Sequence, residues 1–206
     1  MSASGSDIQT DPHLAPPPVW RRLFHLTAGS TIPVAGIFAP ELFMVVATAA
    51  LTAGGLGLDL ARFRAERLNR IFLRWLAPLL KPDEGSRVTG ATYMAMAALA
   101  VFLLFDRTVA VAALLFLSLG DPAAALVGRG MPGPRIFGKS PVGTAAFIAV
   151  SWAVVGVLVF AGVVEYHWGL IAGAVAAGLA ELAPLPVDDN LTVPIAAGAV
   201  MFFLGV

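Results

Sequence analysis

Asp121 lies in the apolar run Leu117-Ser118-Leu119-Gly120-Asp121-Pro122. At the centre of a membrane span a carboxylate costs about 2.5–3.5 kcal/mol or more unless it is paired or hydrated, so it first suggests an ion or substrate path. Asp followed by Pro is also a helix N-cap with a first-turn proline. The two readings join if a broken helix turns its new N-terminus on a cavity. Downstream runs a glycine-rich cationic stretch, Gly128-Arg129-Gly130-Met131-Pro132-Gly133-Pro134-Arg135-Ile136-Phe137-Gly138-Lys139-Ser140-Pro141. Gly133 to Ser140 satisfies G-x-x-x-x-G-K-S letter for letter. The P-loop fold does not follow, because it needs a strand before the loop, and apolar helical segments flank this one on both sides. Pro134 also removes an N–H from the cradle. Phosphate binding still follows. Ser140-Pro141 reads as an N-cap and first-turn proline opening the next helix, helix N-termini draw anions, and Arg129, Arg135 and Lys139 strengthen the pull.

A third polar island holds Glu181 and then Pro184-Leu185-Pro186-Val187-Asp188-Asp189-Asn190-Leu191-Thr192. One Asp or Asn would cap a helix here. Two adjacent carboxylates, an amide and a glutamate two turns upstream exceed that need. Hard oxygen donors suit Mg²⁺, which takes one or two carboxylates plus substrate phosphates. His25, one turn after Arg21, reads equally as a structural donor or a participant.

These residues must be positioned by apolar elements. The 206 residues are 58% hydrophobic and 13% charged, with net charge zero and mean hydropathy +0.85. That charged fraction is about half of what soluble domains carry, so water is not the chain's main solvent. There is no cysteine, which excludes disulfides, thiolate zinc sites and a cysteine nucleophile. A span needs roughly 20 apolar residues. The pattern predicts an all-α, polytopic transmembrane bundle of about seven spans, at 23–39, 42–61, 88–105, 108–127, 142–164, 168–184 and 192–206. Pro33 and Pro122 interrupt two of them. From Leu60 to Leu80, apolar residues recur at helical spacing, with Arg64, Arg67, Arg70 and Arg74 largely elsewhere around the axis. This predicts an amphipathic helix on an anionic leaflet. Residues 1–20, polar and proline-rich, read as a disordered cytosolic tail, and 21–206 as a single catalytic domain without internal repeats.

With a cytosolic N-terminus, twelve of the thirteen basic residues fall inside and only Arg107 outside. The lean loops suggest a prokaryotic plasma membrane. Glu165 and His167, with Tyr166 and Trp168, read as interfacial residues of the outer side, and Asp106-Arg107 as an outer turn. Arg22, His25, Asp121, the Arg129–Ser140 loop, Glu181 and Asp188–Asn190 all map to the cytosolic face. Cations for phosphates, carboxylates for a metal and lipid alongside describe phosphoryl or nucleotidyl transfer between a nucleotide and a lipid. Nothing points to nucleic acid. A transporter or scaffold would spread its ionisable residues over both faces.

In order along the chain, several motifs resemble the polyprenol kinase family, which comprises dolichol kinase, phytol and farnesol kinase and CTP-dependent diacylglycerol kinase, and is related to phosphatidate cytidylyltransferases. They are Arg21-Arg22-Leu23-Phe24-His25, Glu84 with Thr89-Gly90-Ala91-Thr92-Tyr93, Gly120-Asp121-Pro122-Ala123-Ala124-Ala125 through Gly128-Arg129, Gly138-Lys139-Ser140, and Asp189-Asn190-Leu191-Thr192. Val142-Gly143 follows the Lys-Ser segment, where dolichol kinases often carry Glu-Gly. The resemblance implies a CTP donor, Mg²⁺ and a membrane-embedded primary alcohol. It places Asp121, Lys139, Ser140 and Asp189-Asn190 in the nucleotide and metal site; taken with the chemistry of the residues themselves, Asp121, Lys139 and Asp188 are expected to serve catalysis, and Asp121, Asp189 and Glu181 the metal. The nucleotide falls to Arg22, His25, Gly128, Arg129, Gly138, Lys139, Ser140 and Asn190.

Overall fold

The computed structural model describes residues 19–76, 79–80 and 84–206. The predicted tail, apart from its last two residues, lies outside that range, and so do the side chains of Arg22 and His25, whose backbone is helical. All the regular elements described are helical: α1 (Val19–Phe38), α2 (Glu41–Arg64), α3 (Glu66–Leu76), α4 (Gly90–Leu104), α5 (Arg107–Gly130), α6 (Pro141–Phe160), α7 (Trp168–Leu182) and α8 (Asp189–Phe203). Each expected span has its helix. Three of them, α2, α5 and α6, are long and apolar enough to cross a membrane, and four shorter apolar helices accompany them.

The helix α5 is the hub, packing against α1, α4, α6, α7 and α8. Two-thirds (67%) of its apolar stretch is buried, against 11% for α2. The core gathers around α5 residues such as Val109, Phe116 and Leu117, with Phe147, Leu170, Val193 and Met201 from the later helices. A smaller cluster joins Met44 of α2 to Ala98, Val101 and Phe102 of α4. The first two helices are joined by a short turn yet pack on different partners, α1 on α5 and α2 on α4.

Three expectations change. Asp121-Pro122 does not start a helix, because α5 runs through it without a break, as α1 runs through Pro33. Pro122 forgoes one backbone hydrogen bond, to the carbonyl of Ser118, and the packed neighbours keep the helix intact. The amphipathic helix starts at Glu66 rather than Leu60, since α2 extends to Arg64 and Ala65 is extended (φ −120°, ψ 98°). The last helix begins at Asp189, which puts Asp189 and Asn190 in its first turn. By contrast, Ser140 caps α6 with Pro141 behind it, as the sequence suggests.

Candidate active site

The helices α4, α6 and α8 start at the same end of the bundle, where their first turns line two cavities. Their caps are Thr89, Ser140 and Asp188, each accepting a backbone N–H from its own first turn. Three partial positive charges therefore converge there. Into this end run the C-terminal parts of α2, α5 and α7, which deliver Asp59, Asp121 with Arg129, and Glu181.

The loop between α5 and α6 is shaped to present Lys139. Phe137 (φ 51°) and Gly138 (φ 83°) form a two-residue turn in the left-handed region, the geometry of a tight hairpin. Ile136 N donates to Lys139 O at 2.8 Å, and Lys139 N to Ile136 O at 2.9 Å. This is a hairpin turn between two helices and not a P-loop. At its base the helices nearly touch. A Cβ on Gly143 would lie 2.8 Å from the carbonyl of Ala124, and one on Gly128 would lie 3.1 Å from Ser140 Cβ.

From that turn Lys139 reaches α7 and α8. Its ammonium pairs with Asp189 Oδ2 at 2.8 Å and Glu181 Oε1 at 3.3 Å, and it also donates to the Glu181 carbonyl. Burial pulls the Lys139 pKa down, but Asp189 and then Glu181 outweigh it and hold the group above the ordinary lysine value. The group is an ammonium throughout the physiological range.

A cavity of about 880 Å³ lies between α1, α2, α3, α4 and α5, with apolar walls that include Ile32, Leu51, Leu58, Leu76 and Met94. A second, of about 170 Å³, lies beside the glycine loop and is lined by Gly128, Arg135, Gly138, Ser140, Gly143 and Thr144. Asp121, Arg129, Lys139 and Glu181 line both. These four side chains form a charged waist shared by the walls of the large, mostly apolar cavity and the small one. Asp189 and Asn190 line the large cavity only. Asp188 lines neither of the two, and its carboxylate accepts the Asn190 N–H at 3.0 Å.

A second ionic cluster, outside the motifs singled out above, lies beside the large cavity. Asp59, 2% exposed, binds Arg62 Nε through Oδ1 at 2.7 Å. Its Oδ2 accepts from Thr92 Oγ1 at 2.8 Å and Thr89 N at 3.1 Å. Arg62, 1% exposed, lies 4.5 and 4.6 Å from the ring centroids of Phe63 and Phe72 and donates to Asn69 and to the carbonyls of Gly85 and Arg87. Arg62 is therefore no solvated loop charge. Beside this cluster, Glu84 accepts the Gly90 N–H at 2.8 Å, and Asn190 Nδ2 donates to the Gly90 carbonyl at 3.3 Å. An aspartate three residues before an arginine, near the end of an apolar stretch, was the available signal.

Among the described residues, no three His, Cys, Asp or Glu side chains form a ready metal cage. Glu181 and Asp189 are both turned on the Lys139 ammonium. This all-oxygen donor set, with Asp121 on the same walls, fits Mg²⁺ held by one or two carboxylates with substrate oxygens completing the shell. It does not fit a site closed by protein alone. Comparison with protein-family models, characterised proteins and solved structures finds no match for the chain.

Proposed function

We propose that the chain is a membrane-embedded lipid-alcohol kinase. It moves the γ-phosphoryl group of a nucleoside triphosphate to the hydroxyl of an isoprenoid alcohol or diacylglycerol. The observation that carries this reading is the waist, where Asp121, Arg129, Lys139 and Glu181 belong at once to an apolar chamber and a polar one. A wall shared in this way lets a lipid hydroxyl from one side and a polyphosphate from the other reach the same charged side chains. CTP as donor, and membership of the polyprenol kinases, rest on the motif resemblance.

In this reading all seven apolar helices cross the bilayer, with the N-terminus and the waist on the cytosolic side. A 15-residue helix such as α4, α7 or α8 is about 22 Å long. That is shorter than the roughly 30 Å hydrocarbon core, and local thinning makes up the difference. The alcohol enters sideways between α1 and α2. Both helices line the large cavity, and its wall residues Leu51 and Leu58 are 53% and 43% exposed.

Transfer forms a bond from the alcohol oxygen to the γ-phosphorus and breaks the bond from that phosphorus to the β–γ bridging oxygen. The nucleoside diphosphate leaves. Asp121 accepts the hydroxyl proton. Lys139 and Arg129 offset charge on the transferred group, helped by the α6 N-terminus capped by Ser140. Asp121, Asp189 and Glu181 are the residues that would hold Mg²⁺, which when bound would offset the negative charge of the phosphates.

The test is the purified full chain in lipid nanodiscs, given γ-labelled CTP or ATP with polyprenols, phytol or diacylglycerol. Label in the lipid is the expected result. Label in pyrophosphate makes the chain a cytidylyltransferase, and label left on the nucleotide with every acceptor removes the enzyme reading.

A further inference from the structure

Lys139 is one of only two lysines in the chain, the other being Lys81. It stands where a metal ion bound by the Glu181 and Asp189 carboxylates would have to stand. Its ammonium is 2.8 Å from Asp189 Oδ2 and 3.3 Å from Glu181 Oε1. The Glu181 carbonyl, also bound by the ammonium, fixes it there. A divalent ion taking those two oxygens at about 2.1 Å cannot share the place with an ammonium, for reasons of volume and of like charge. Glu181 is well shielded at 11% exposed, while Asp189 keeps 34% of its side chain open to an incoming ion. Two carboxylates so close are mutually repulsive without a cation between them. The turn at Phe137-Gly138 anchors the Lys139 backbone beside the small polar cavity, which the residue also lines. The side chain therefore has somewhere to go.

We propose that Lys139 is the resident counter-ion of the Glu181–Asp189 pair and exchanges places with a divalent cation, moving its ammonium into the polar cavity as the metal takes the carboxylates. The exchange rests on the kinase reading for its purpose. It couples metal loading to phosphate binding, because the displaced ammonium is stabilised only where phosphates receive it. Metal alone binds weakly, since it must displace a well-paired charge.

The experiment is Mn²⁺ binding to the full chain in nanodiscs without nucleotide, followed by electron paramagnetic resonance. Lys139→Met should bind Mn²⁺ about tenfold more tightly than the parent chain, the worth of one charged hydrogen bond. Lys139→Arg, which keeps the charge, should stay near the parent, and adding Asp189→Asn to Lys139→Met should erase the gain. A folded Lys139→Met no tighter than the parent, or an Arg variant as tight as the Met variant, overturns the exchange. Should Lys139→Met fail to fold, the parent chain gives a second readout. Saturating Mn²⁺ should speed amine modification of Lys139, read by peptide mass spectrometry, and leave Lys81 unchanged. An unchanged Lys139 rate overturns the exchange as well. Mn²⁺ behaviour as described in a chain that phosphorylates no alcohol sinks the kinase reading alone. Alcohol phosphorylation with no Lys139 effect on Mn²⁺ sinks the exchange alone.

Discussion

Two clusters of carboxylates and cations border the large cavity, and they differ in what surrounds them. Asp59 lines the large cavity, but its carboxylate and Arg62 are held by protein partners: threonines, an asparagine, loop carbonyls and two aromatic rings. Neither residue is more than 2% exposed. Around Lys139, Glu181 and Asp189 the pairing is as close, yet the lysine keeps 30% of its side chain exposed and faces both cavities. A saturated ion pair can only hold helices together, here fastening α2 to α3 and to the start of α4. An ion pair with open sides can trade partners. On the proposed function, coordination by the protein, more than the presence of charge, separates the fastening cluster from the reacting one.

Mutations on each side should keep these roles apart. If the proposed kinase activity holds, Asp121→Asn lowers phosphoryl transfer about 10³-fold, the range of a lost general base, with an unchanged melting curve. Full transfer in that variant would remove Asp121 from the reaction. On the other cluster, Arg62→Met strands Asp59 as a buried, unpaired charge, and the loss is expected at about 3–5 kcal/mol of stability. Thermal unfolding in detergent measures it, and adding Asp59→Asn should return part of the loss. A parent-like melting curve for Arg62→Met alone would mean the pair fastens nothing. Gly90→Ala is a smaller perturbation. Its Cβ would lie 2.7 Å from Asn190 Nδ2 and 3.1 Å from Glu84 Oε1, an overpacking cost of about 1–3 kcal/mol. The smallest effect belongs to Asp188→Ala, about 1 kcal/mol for a lost N-cap, with transfer falling far less than in Asp121→Asn. Collapse of transfer at normal stability would show Asp188 acting in the chemistry.

Much of this arrangement was legible in the residues. Helix positions followed from apolar length, and the α6 start from Ser140-Pro141, because capping is local. The convergence of Asp121, Lys139, Glu181 and Asp189 on one end followed from alternating helix direction, which needs only a count of elements. The Asp59–Arg62 cluster was legible only as an aspartate three residues before an arginine, without its partners. In sequence Arg62 looks like the other arginines that follow it, and its burial depends on α3 folding back and on the loop at 85–87. The clasp of Glu84 and Asn190 on Gly90 joins residues 100 positions apart, and no local pattern announces it. Pro122 misled for the opposite reason. Its local preference is real, but packing around α5 overrides it.

The division between the clusters meets its most direct test in one side-by-side assay. γ-Phosphoryl transfer per folded molecule is measured for Lys139→Met and Arg62→Met in the same nanodiscs. Lys139→Met should be folded and nearly inactive, while the surviving folded fraction of Arg62→Met should transfer at close to the parent rate. An active Lys139→Met beside a folded but inactive Arg62→Met would reverse the assignment and contradict it.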